Sequence, residues 1–127
     1  MYEQLEKLTK QLLKYNDDIL QIAEQTDWDG GQPDFFKTVK PFADEVKQTA
    51  DEWKKEALAW IRSAGPKYVH PQQMEALAEN IEKIAIEAFY PAAKRQRMKQ
   101  FHQSIEYTLL LVSDRLKKGN NEKRLSR

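Results

Sequence analysis

The sequence contains no cysteine. That excludes a disulfide scaffold, a thiolate zinc site and a cysteine nucleophile. Long apolar runs are also missing. Runs such as Leu109-Leu110-Leu111-Val112 fall far short of a membrane span. The opening residues, Met1-Tyr2-Glu3-Gln4-Leu5-Glu6, lack the hydrophobic segment of a signal peptide. Charge of one sign does not dominate, for 21 basic residues face 20 acidic ones. Only two histidines are present. Gly30-Gly31 is not followed by the Lys-Ser/Thr of a phosphate-cradling P-loop. With 40% hydrophobic and 32% charged residues in 127, the chain is too apolar for a disordered segment and suits one domain. These features predict a soluble, cytoplasmic, single-domain protein without a membrane segment.

Glycine and proline are scarce, at four and five, and they cluster. Gly30-Gly31-Gln32-Pro33, Gly65-Pro66 with Pro71, Pro91, and Gly119-Asn120-Asn121 divide the chain into four segments. The first carries Leu5, Leu8, Leu12, Tyr15, Ile19 and Ile22, stepping by three and four as one stripe of a helix. The second carries Phe35, Val39, Phe42, Val46, Ala50, Trp53, Ala57, Trp60 and Ala64 in the same rhythm, with Asp34 placed as N-cap. That stripe runs through Pro41 without changing phase. It predicts one helix kinked near Pro41, against a competing pair of helices broken after Val39. The third segment carries Met74, Leu77, Ile81, Ile84 and Ala88, with Pro71 at its first position. The fourth carries Met98, Phe101, Ile105, Thr108, Leu109, Val112 and Leu116, with Gly119 as its stop.

Four amphipathic helices with short connections bury their stripes as an all-α, antiparallel up-down four-helix bundle. The expected organisation is a bundle over 1–119 and a disordered polar tail over 120–127.

Di-iron bundles place Glu-x-x-His pairs inward. Here Lys67 and Lys99 stand three residues before His70 and His102. No buried metal site, cofactor or catalytic constellation is therefore expected, and the stripes are apolar apart from Thr108. His102 and Glu106 sit one turn apart. Read as chemistry they are an oriented base, and read as structure they are an ordinary helix-surface pair; the second is preferred.

Charge is unevenly distributed. Residues 1–63 sum to −4 and residues 64–127 to +5. Lys94, Arg95, Arg97 and Lys99 open the fourth helix, the wrong end for cations. They form either an anion-binding face, for nucleic acid or an acidic partner, or one half of a charge match with acidic helix one or two. The charge match is preferred, because nucleic-acid binders are usually basic throughout. In the loop Gly65-Pro66-Lys67-Tyr68-Val69-His70-Pro71, Tyr68 and Val69 either fold back over the bundle end or, with His70, dock a partner. Trp28 is an end plug or, if exposed, a contact residue.

The loop residues also carry a likeness. Pro66-Lys67-Tyr68-Val69-His70 with Gln73, Asp34-Phe35-Phe36, Thr38 to Pro41, and Tyr107-Thr108-Leu109 resemble the YppE-like family. These are small all-helical proteins of Gram-positive bacteria whose function is not established. The resemblance implies a four-helix bundle and a cytoplasmic setting, and it supplies no catalytic or cofactor residues.

The leading functional expectation is a non-enzymatic module that binds another macromolecule, with a protein partner preferred over nucleic acid. The alternatives are an acidic-partner or nucleic-acid binder using Lys94, Arg95, Arg97 and Lys99, and a small-molecule binder with a pocket lined by Trp53, Trp60, Tyr107 and His102. The heptad spacing of the first helix allows either a monomer or a homodimer.

Overall fold

The computed structural model describes residues 1–25, 33–90 and 95–125, with the side chains of 120–125 left aside. Among these residues there are four α-helices and no strand. They are α1 (Glu3–Gln25), α2 (Lys40–Ala64), α3 (Pro71–Glu87) and α4 (Arg95–Leu125). A single π turn, Phe35–Val39, leads into α2.

Aromatic contacts fix the direction of the helices. At one end Tyr2, just before α1, packs edge-on against Trp60 of α2 at 6.4 Å and shares a 2.9 Å hydrogen bond with Ser63. At the other, Phe42 near the start of α2 meets Tyr15 of α1 at 5.9 Å and Phe89 just past α3 at 5.8 Å. The start of α1 therefore lies beside the finish of α2, and the start of α2 beside the finish of α3. Packing is most extensive between α2 and α3 and between α1 and α4; α1 also packs on α2, and α3 on α4. This closes the ring of an antiparallel up-down bundle.

The predicted stripes form one core. Leu12, Val46, Trp53, Met74, Ile81, Ile84, Leu109 and Val112 are among its fully buried members. Two departures have physical reasons. The two ends of the second stripe are exposed: Phe35 lies in the π turn, which shifts its direction relative to α2, with its ring edge-on to Phe36 at 5.4 Å, and Ala64 stands where α2 ends at Gly65. Thr9 and Asn16, polar residues outside the predicted stripe, are buried in α1 while Tyr15 and Ile22 lie at its margin. Each has a hydrogen-bond partner that makes burial tolerable. Thr9 Oγ1 donates to the Leu5 carbonyl at 2.7 Å and accepts the Trp53 indole N–H at 3.0 Å. Asn16 Nδ2 donates to the His102 carbonyl at 3.0 Å.

Helical backbone runs on both sides of Pro41, with the π turn Phe35–Val39 ahead of it. The Lys40 N–H reaches back to the Phe35 carbonyl, a π-type bond, and Pro41 then supplies no donor of its own. Asp34 is the cap, accepting the N–H groups of Phe36 and Lys37 at 3.0 and 3.1 Å. Asp34→Ala should therefore destabilise the fold by about 1 kcal/mol, read as a lower urea midpoint with an unchanged slope.

Helical backbone continues through Gly119 to Leu125, so this glycine does not stop α4. No positive φ is found there; the left-handed glycine is Gly65, which ends α2 with φ of 55°. Of the tail expected to be disordered over 120–127, residues 120–125 have helical backbone, and 126–127 lie outside the described residues. The expected end plug Trp28 and the basic residue Lys94 also lie outside the described residues.

Candidate functional site

Two groups of polar side chains lie off the core, near opposite ends of α4. The first surrounds the α2–α3 turn. Gly65 accepts the left-handed backbone that ends α2, and its N–H bonds the Ile61 carbonyl at 3.0 Å. Val69 then turns inward and is buried in the core, as is Met74 on the first turns of α3. These are the positions of a hydrophobic staple. Gln73 Oε1 accepts the His70 N–H at 2.8 Å, which anchors the start of α3. The His70 side chain is exposed.

Tyr68 does not follow Val69 inward. It is 68% exposed and carries φ of 70°, the only non-glycine residue with positive φ among those described. A bulky residue in this conformation is held there against its own preference. The Arg115 guanidinium of α4 lies 5.7 Å from its ring centroid. Beside it, Trp60, Gly65, Pro66, Lys67, Arg115 and Lys118 are among the residues that line a hollow of about 190 Å³. Arg115 Nε is buried without a hydrogen-bond partner, while its Nη2 lies 3.4 Å from Asp114. Lys118 bonds the same carboxylate at 3.2 Å, which holds the Asp114 carboxyl below the usual carboxylate range, assisted by Arg115. A depressed pKa stabilises the fold above the unfolded value, and this support is lost as pH falls through the folded one. Asp114 is solvent-exposed, which keeps that contribution small.

The second group joins α1 to α4. His102 Nε2 lies 2.8 Å from Asp17 Oδ1. Glu106 stands one turn further along α4, and donor atoms of the three residues all lie within 4.8 Å of one another. The sequence pointed to His102 and Glu106 as neighbours. It could not supply Asp17, which is 85 residues away in the chain.

The basic opening of α4 is partly consumed by the fold. Arg97 pairs with Glu87 of α3 at 3.0 Å and stacks over Phe101 at 5.2 Å. The charge match thus exists, but with α3 rather than helix one or two. Arg95 and Lys99 are exposed. The four residues suggested for an interhelical pocket are not brought together: Trp53 is fully buried, Trp60 lines the hollow beside Gly65, and Tyr107 is 69% exposed. No described helix is long and apolar enough to cross a membrane.

Residues 9–116 match a family model described as a bacterial domain of unknown function, DUF1798. The chain belongs to this family. A DUF1798 relative, the uncharacterised protein YppE of Bacillus subtilis strain 168, is 30% identical over 116 residues, covering 86% of this chain and 94% of its own. The crystal structure of Bacillus subtilis YppE superposes with a TM-score of 0.88 at 26% identity, over 95% of this chain and 98% of that one. A protein of unknown function from Listeria innocua gives 0.86 at 30% identity, over 95% and 99%. The DUF1798 fold is therefore shared along nearly the whole chain, and the resemblance carried by the loop residues is confirmed.

Proposed function

We propose that this DUF1798 protein is a non-enzymatic interaction module that grips an acidic segment of a protein partner at the bundle end around Tyr68. The observation that supports the reading most is Tyr68 itself, an exposed aromatic ring at positive φ with the Arg115 guanidinium 5.7 Å from its centroid. Strained backbone and exposed aromatics concentrate where a surface makes contacts. Lys67, Arg115 and Lys118 line the hollow at this end and carry N–H groups that a carboxylate can accept from. Pairing does not separate this end from the start of α4, since Arg97 meets Glu87 just as Arg115 and Lys118 share Asp114; the strained, exposed Tyr68 does.

The test is an NMR titration with a hexaglutamate peptide at low salt. Saturable shifts at Gly65, Tyr68, Arg115 and Lys118 are expected, weakening as salt is added. Arg115→Glu should abolish them. Tyr68→Gly relieves the backbone and removes the ring, so it should weaken binding without lowering the melting temperature. Shifts confined to Arg95 and Lys99, or no shifts at all, would refute this reading.

A further inference from the structure

We propose that Asp17, His102 and Glu106 form a binding site for a divalent transition-metal ion of the zinc class, bridging α1 and α4. The site is distinct from the Tyr68 end: His102 and Arg115 are 13 residues apart on α4, about 20 Å along the helix axis.

Three features support it. First, the ligand set converges from two helices. His102 and Glu106 are spaced i and i+4, so both project from one face, and Asp17 reaches them across the α1–α4 seam. Second, the exposure is graded as a ligand site needs. The His102 side chain is only 15% exposed and so is held in place, whereas the Asp17 carboxylate is 66% exposed and leaves an approach from solvent. Third, the seam is pinned from beneath. Asn16, immediately before Asp17 and 1% exposed, donates to the carbonyl of His102, and its Oδ1 is left buried without a partner. This bond helps to fix the register of Asp17 against His102. Register of this kind is what preorganises a metal site.

The donors are one imidazole nitrogen and two carboxylate oxygens. This mixed set suits zinc and its first-row neighbours better than calcium or magnesium, which prefer oxygen alone. Three protein ligands leave one tetrahedral position for water. Sequence spacing alone does not show the site, because the group lies on the flank of the bundle and needs Asp17 from another helix.

Zinc titration of the full chain by calorimetry, with cobalt absorption as a second readout, tests the assignment. One zinc per chain is expected, with cobalt giving the visible bands of a low-coordinate site. His102→Ala and Glu106→Gln should each weaken binding at least about tenfold, as loss of a direct ligand exceeds the effect of losing its supports. His70→Ala should bind as the parent does. Glu106→Gln keeps the His102–Asp17 contact, so its effect on zinc cannot be ascribed to separating the helices. Absence of saturable binding, equal binding by all variants, or loss on His70→Ala would each overturn the proposal. So would zinc uptake only with dimer formation in sedimentation.

Discussion

Truncating Trp53 to alanine should cost the fold about 3–5 kcal/mol, the largest loss available from a single core position. Natural domains of this size hold about 5–15 kcal/mol in all. The melting temperature should fall on the order of 10–20 °C. Two terms combine. Trp53 is completely buried, so removal of the indole leaves a hole between the helices that close packing cannot fill. It also strands Thr9, whose hydroxyl accepts the indole N–H while donating to Leu5. The second term can be isolated. Thr9→Val keeps the shape but leaves the indole N–H buried and unpaired, and should cost about 1–3 kcal/mol. Combined with Trp53→Phe, which removes the donor, that penalty should largely disappear. Urea denaturation of the four proteins gives the coupling directly. Additive losses would mean that the hydrogen bond carries no weight.

Leu12→Ala should rank next, at about 2–5 kcal/mol. Leu12 is fully buried on α1, the helix that packs against both α2 and α4. Leu12→Met is the control, since a volume-conserving exchange usually costs less than about 1.5 kcal/mol. The alanine removes apolar packing and none of the side chains assigned to the flank or to the bundle end. At temperatures where the variant remains folded, peptide and zinc responses should therefore match those of the parent. A binding response that fell with stability would tie those surfaces to the core and contradict their assignment as separate sites.

Most of the fold is legible in the chain because helix period is a local property. Leu5, Leu8, Leu12 and Ile19 repeat at the spacing that puts them on one face, and they are buried wherever that face meets a partner. Asp34 and Pro71 mark helix starts through backbone groups that lie within a turn of them. The staple at Val69 follows from the same short range. The register of Thr9 and Asn16 is not legible in this way. A polar residue is buried only if some other helix presents the right atom, and those atoms belong to Trp53 and His102, far away in sequence.

The sites divide along the same line. Tyr68, Arg97 and His102 were each visible as unusual residues, but visibility did not say what would face them. Arg97 met Glu87 and is largely absorbed by the fold. Tyr68 was held outside by positive φ, which no spacing rule indicates. His102 acquired Asp17 from the opposite end of the chain. By itself, then, the sequence determined the helices, their buried faces and the bundle that unites them, since these follow from interactions over one or two turns. Only the tertiary structure decided which charges are paired and which donors gather, because those depend on how two helices are set against each other in rotation and height.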